Sequence, residues 1–171
     1  MINFKSMRNN LEQTILEKIT DLESLKLKRQ QWKAEGKKVV FTNGVFDLLH
    51  TGHITYMAKS AELGDKLIIG LNADSSVKRL KGPDRPVNDQ NSRALLLAAM
   101  LFIDAVVVFE EDTPLNLIST LLPDVLVKGA DYAIENIVGG KEVIANGGEV
   151  KTITFVDGYS STAIIKRIKG Q

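Results

Sequence analysis

Residues 7 to 35 are polar and charged, with Leu11, Ile15, Ile19, Leu22, Leu25 and Leu27 set largely at helical spacing. That i, i+4, i+8 pattern predicts one or two amphipathic helices, closed by Gly36 and Lys37. The segment either packs on the main body or makes a subunit contact. From Lys38 onward, short apolar runs alternate with helical stretches. VVFT (39 to 42), KLIIGLN (66 to 72), AVVVF (105 to 109), DVLV (124 to 127) and VKTITF (150 to 155) predict five buried strands. A helix over 51 to 63 should turn Ile54, Met57 or Ala58, and Ala61 inward. Asp89 caps a helix through Ala99, and Thr113-Pro114 serves as N-cap and first position of a helix to Leu122. A short helix ends at Asn146-Gly147-Gly148, and a last one covers 160 to 169. The basic stretch SSVKRLKGPDRP reads as a lead into a loop.

Val- and Ile-rich strands alternating with helices specify an α/β fold, a five-stranded parallel sheet with helices on both faces. The expected division is an N-terminal helical extension over 1–37 and a sheet domain over 38–171. At 171 residues and 44% apolar, the chain is long enough for one sizeable core. In such sheets ligands bind beyond the carboxyl ends of the strands, near the reversal in strand order. Residues at strand exits are therefore the candidates for chemistry.

Charge and composition narrow the partners. With 22 basic against 21 acidic side chains, the net charge of +1 points to neither a nucleic-acid nor a membrane partner. The absence of cysteine excludes disulfides, thiolate nucleophiles and cysteine-zinc sites. No apolar run approaches the roughly 18 residues that span a bilayer, and the N-terminus lacks a signal-peptide pattern. The expectation is a soluble cytoplasmic protein.

Both histidines of the chain, His50 and His53, fall in HTGH, just past the first strand and at the start of the next helix. At i and i+3 they project to similar sides of a helical turn. Gly52 between them lets a ligand or backbone approach, and the free N–H groups near 51 to 54 favour an anion. These parts make a cradle for phosphate. In the preceding GVFD, Gly44 is expected to supply an unusual backbone angle and a close approach, and Phe46 to belong to the core. Asp47 either orients a histidine or caps the turn. Lys78, Arg79 and Lys81 after the second strand, and Arg93 before the third, can neutralise a polyphosphate if they reach the same mouth. Ser160, Ser161 and Thr162 cap the last helix and make a second anion site. Lys128 sits at a further strand exit in VKGADY. No residue stands out as a covalent nucleophile, so positioning and charge stabilisation of phosphoryl or nucleotidyl transfer fit best.

FTNGVFDLLHTGH resembles the HxGH signature of the cytidylyltransferase-like nucleotidyltransferase superfamily, which implies a Rossmann-like sheet. LIIGLNADSSVKRLKGPDRPVN, FEEDTPLNLISTLLPDVLVKGADY, and GGKEVIANGGEV through DGYSSTAII resemble the adenylyltransferase domain of bacterial ADP-heptose synthases, from about Lys38 to Lys169. Val45 stands where such proteins often have cysteine. The resemblance implies transfer of AMP from ATP to D-glycero-β-D-manno-heptose 1-phosphate, giving ADP-heptose and pyrophosphate. It places His50 and His53 on the nucleotide phosphates, Arg93 and the 160 to 162 hydroxyls on the β- and γ-phosphates, and Lys81, with Arg79, across them. Thr42, Asn43, Gly44 and Phe46 would line the nucleotide cleft. Asn72, Asp74 and Lys128 are candidates for the acceptor side. Mg²⁺ would arrive on the ATP phosphates, and a homodimer is implied. The fused sugar-kinase domain of many relatives has no counterpart here, which suggests a stand-alone transferase served by a separate heptose kinase. A glycerol 3-phosphate cytidylyltransferase is the nearest alternative. Such enzymes resemble RTxGxSTT near the end and carry a GDDW-like loop, whereas this chain has Val156 before its hydroxyls and VKGADY.

Overall fold

The computed structural model describes residues 10–129, 136–154 and 158–170. Expectations for residues 7 to 9, for the Ala130-Asp131-Tyr132 end of the VKGADY loop and for Phe155 and Val156 fall outside them. Helices α1 (Leu11–Leu16) and α2 (Leu22–Ala34) precede strand β1 (Val39–Gly44). Then come α3 (Thr51–Ala61), β2 (Lys66–Asn72), α4 (Asp74–Lys81), α5 (Gln90–Ala98) and β3 (Ala105–Phe109). The chain continues through α6 (Leu115–Leu121), β4 (Val125–Gly129), α7 (Gly140–Ala145), β5 (Glu149–Ile153) and α8 (Ser161–Ile168).

All strands pair in parallel, in the order β3-β2-β1-β4-β5. Strand order reverses between β1 and β4, so the carboxyl ends of those two strands open the crevice where a parallel sheet binds ligands. Alternate residues feed two cores. Val40, Leu67, Ile69, Leu71, Val106, Val125 and Val127 pack with Tyr56, Met57, Ala94 and Leu97 on one face. Val39, Phe41, Ile68, Ala105, Val107 and Leu126 pack with Leu25, Leu117, Ile118 and Val143 on the other. Burial on both faces is why these strands read as unbroken apolar runs.

The N-terminal helices belong to this packing. Leu25 is fully buried, and the buried Arg29 donates to Leu122 O and to Asp124 Oδ1, the latter at 3.0 Å. Residues 18 to 20 also lie along the edge of β3: Val106 N donates to Lys18 O (2.8 Å) and Thr20 N to Val106 O (3.0 Å). That covers one open edge of the sheet. The opposite edge, β5, exposes Glu149, Lys151 and Thr152, and charge of this kind discourages edge-to-edge pairing.

Several elements differ from expectation. The first part of the basic stretch forms helix α4, which the sequence pattern did not predict, and the loop follows from Gly82. Buried Ser76 and Val77 hold the helix to the body, while Lys78, Arg79 and Lys81 in its last turn complement the helix dipole. Gly82, at φ +99°, ends it. On α3, Met57 and Ala61 face inward as expected, joined by Tyr56 and Ser60, whereas Ile54 faces solvent. Helix α6 begins after Pro114, which occupies the N-cap position without a side-chain bond, so Thr113 is not the cap. Strand β4 starts at Val125. Asp124 turns its carboxylate back to accept from Val39 N (2.7 Å) and Arg29, which takes it out of the strand. The Asp89 and Ser160 caps form as expected, accepting from Ser92 N (2.9 Å) and Ala163 N (3.0 Å).

Candidate active site

A pocket of about 630 Å³ opens at the carboxyl ends of β1 and β4. Asn43, Gly44 and Phe46 from β1 and its exit, and Lys128 from β4, form its base. His50 and His53 come from the start of α3, Asn72 from the end of β2, and Lys81 from the end of α4. Ser160, Ser161 and Thr162 close it from the start of α8. Positions more than 100 residues apart in sequence thus meet because the sheet sends every strand end to one side.

His50 is the extended N-cap of α3, and its carbonyl accepts from His53 N at 2.9 Å. This turn stacks the two imidazoles, with centroids 3.8 Å apart and planes 22° from parallel. The edge of Phe46 meets His53 at 5.3 Å, and Tyr159 lies parallel to His50 at 6.3 Å. Both Nδ1 atoms are buried in the wall, without a hydrogen-bond partner among the described residues. Burial lowers the pKa of His50. His53 is pushed down to about 4, first by burial and then by the neighbouring His50, with the Leu48 main chain acting in the opposite sense. Both rings are therefore neutral near pH 7.

These shifts predict a pH dependence of stability. Between pH 6.5 and about 4 the unfolded chain binds a proton at position 53 that the folded chain does not. Stability from this group is complete above pH 6.5 and declines as pH falls through that window. The unfolding midpoint should drop on acidification, and His53→Gln should flatten part of the slope.

Gly52 makes room for the His50 ring. A Cβ there would sit 3.1 Å from His50 Cε1 and Nδ1. Gly52→Ala is expected to displace that ring by a few tenths of an ångström and to lower turnover about tenfold. Alanine also suits a helix better than glycine, by up to about 1 kcal/mol, so the melting temperature should hold or rise. Gly44 does not take the unusual backbone angle expected of it. Phe46 takes it instead, at φ +45°, and its ring lies 3.0 Å from where a Gly44 Cβ would stand.

Asp47 neither orients a histidine nor caps the turn. Buried beneath the pocket, it accepts from Arg85 Nε (2.6 Å), Val87 N (2.8 Å) and Asn88 N (3.1 Å), and so anchors the 85–88 loop. Lys128 donates to Asn43 Oδ1 across the β1–β4 gap. Ser161 Oγ donates to Leu48 O (2.9 Å), tying the start of α8 to the histidine turn.

Five expected residues stand outside the pocket wall, the exposed Lys78 among them. Thr42 lies behind it, fully buried, sharing a 2.8 Å hydrogen bond with the Tyr56 hydroxyl. Arg79 turns into a separate groove, where it pairs with Asp112 at 2.8 Å and donates to Glu110 O. Arg93 is fully buried. It donates to Val45 O (2.7 Å), Asn72 O (2.9 Å), Asn88 O (3.0 Å) and Asp74 Oδ1 (2.7 Å). It stitches strand ends together and offers no open face to a phosphate, and its partner Asp74 is held in the same knot. The wall also contains Tyr56, Arg85, Asp112, Thr113, Pro114, Ile137 and Tyr159, beyond the residues expected there. Asp112, Thr113 and Pro114 follow β3, so the strand-exit rule alone would have found them.

A family model described as cytidylyltransferase-like matches residues 41–167. The bifunctional protein HldE of Vibrio atlanticus is 60% identical over 138 residues, which are 81% of this chain and 29% of that protein. The chain thus spans less than a third of the curated relatives it matches. A lipopolysaccharide core biosynthesis protein from Thermoplasma volcanium shares 29% identity at a TM-score of 0.57, covering 73% of this chain and all of that one. A pantoate-beta-alanine ligase from Francisella tularensis shares the fold alone, with 15% identity and a TM-score of 0.58 over 88% of this chain and 76% of its own.

Proposed function

The chain belongs to the cytidylyltransferase-like family, and on that premise we propose that it transfers AMP from ATP to D-glycero-β-D-manno-heptose 1-phosphate, releasing pyrophosphate and forming ADP-heptose. The observation that carries the reading is the stacked, neutral His50–His53 pair facing the pocket at the sheet's reversal point. The heptose acceptor rests on the ADP-heptose synthase motifs, on the 60% identity to HldE, and on likeness to a lipopolysaccharide core protein.

The chemistry follows from the parts. A phosphate oxygen of the acceptor attacks the α-phosphorus of ATP, and pyrophosphate leaves on the opposite side. Negative charge grows on the oxygens between them. A neutral imidazole has one ring N–H to donate, and the pair faces the pocket where those oxygens would lie. Main-chain N–H groups at the starts of α3 and α8 add to the field. Donors fixed in advance stabilise the transition state more than the ground state. Ser160 and Thr162, with Lys81, are suited to the outer phosphates, while Ser161, its hydroxyl committed to Leu48 O, ties them to the histidine turn; Asn72 and Lys128 are suited to the acceptor. Among the described residues no group of three or more His, Asp or Glu side chains is placed to hold a metal. Mg²⁺ suits this site as part of the substrate, carried on the ATP phosphates and water. The same reading has the chain act as a homodimer and receive its acceptor from a kinase reaction. Among the described residues, no helix is long and apolar enough to cross a membrane.

Purified protein offered ATP, CTP, GTP or UTP, each with heptose 1-phosphate or glycerol 3-phosphate, tests the assignment. ADP-heptose from ATP, with pyrophosphate, is the expected product by mass. Product from CTP and glycerol 3-phosphate but none from ATP would overturn it.

A further inference from the structure

Arg85 is the only arginine among the described residues that line the pocket, where it joins His50, His53 and Lys81. Its Nε donates to Asp47 Oδ2 at 2.6 Å, and no further side-chain hydrogen bond of Arg85 is seen among the described residues. The carboxylate of Asp47 is fully buried, and its other oxygen accepts Val87 N and Asn88 N. Asn88 binds back through Nδ2 to Asp47 O (3.2 Å), and its own carbonyl accepts from Arg93. One edge of the Arg85 guanidinium is thus bolted to the histidine turn. The terminal edge, with its two nitrogens, is left for the pocket.

A guanidinium has two edges that can each bind an oxyanion. With the Nε side taken by a rigid carboxylate, the terminal edge is already aimed, and little side-chain entropy remains to be lost on binding. We propose that Arg85 grips a phosphoryl group of the bound substrates through that terminal edge, with Asp47 as the positioning residue that holds it in aim. This rests on the transfer reading above. The chemistry it recognises is a phosphoryl oxyanion, supplied by the β- and γ-groups of ATP or by the sugar 1-phosphate.

Calorimetric titration of wild type, Arg85→Lys and Arg85→Gln with ATP, AMP and heptose 1-phosphate tests it, with melting temperatures measured alongside. Both variants should lose about 10- to 100-fold in affinity for one phosphate ligand while remaining folded. A loss for ATP with AMP unchanged assigns Arg85 to the outer nucleotide phosphates; a loss for heptose 1-phosphate assigns it to the acceptor. Lysine can neutralise Asp47 but cannot hold it and a phosphate with one side chain. Wild-type affinity for every ligand in Arg85→Lys therefore overturns the proposal, since the arginine would then serve only as a counter-charge. Wild-type turnover with ATP and heptose 1-phosphate, run in parallel, separates failure of the functional reading from failure of this one.

Discussion

Removing either imidazole, by His50→Ala or His53→Ala, is expected to lower turnover about 10²- to 10³-fold per lost donor while the protein stays folded. The rings stack at 3.8 Å and close one wall of the pocket, so they act on the same oxygens. The double variant should fall short of the product of the two losses, because groups that act as a unit are not additive. Stability should change little, since each ring keeps an Nδ1 in the wall unpartnered among the described residues and its removal relieves that defect. Single-turnover rates, with melting temperatures as control, check this. Turnover within a factor of a few of wild type would recast the pocket as a nucleotide-binding surface without chemistry.

Arg93→Ala should act in the opposite way, through the fold. The side chain is fully buried and bonds four acceptors from the exit of β1, from β2, from α4 and from the loop before α5. Deleting it strands three carbonyls and the Asp74 carboxylate, at a cost of about 3–5 kcal/mol. That is a large part of the 5–15 kcal/mol that holds a typical domain together. Lysine cannot restore it, because an ammonium lacks the planar fork that reaches four directions. Denaturant midpoints measure the effect. Normal stability in Arg93→Ala with a raised KM for ATP would return this arginine to the phosphates, where the sequence motif had placed it.

The contrast between these two residues shows what the sequence could reveal. His50 and His53 were legible because their position after an apolar run and before a helix already fixes the geometry of a strand exit. The strands were legible because burial on both faces leaves unbroken Val and Ile runs. Arg93 misled because its charge is visible in sequence, whereas its four partners belong to elements brought together only by folding. Asp47 was ambiguous for the same reason: its partners lie about 40 residues away at Arg85, Val87 and Asn88. Helix α4 was missed because a single buried valine, helped by Ser76, suffices to hold it, too little to register as periodicity. The N-terminal segment left two readings open, and fully buried Leu25 with the Lys18–Val106 ladder decides for packing on the body.

In the proposed reaction the pocket stabilises charge at the α-phosphorus without bonding to it. A neutral histidine is also a competent nucleophile, so the stereochemical course of transfer from a single diastereomer of adenosine 5′-O-(1-thiotriphosphate) to heptose 1-phosphate tests the claim most directly. One in-line displacement inverts the configuration at phosphorus, and inversion is the predicted result. Retention would mean two displacements through an adenylylated side chain, and would rule out direct transfer.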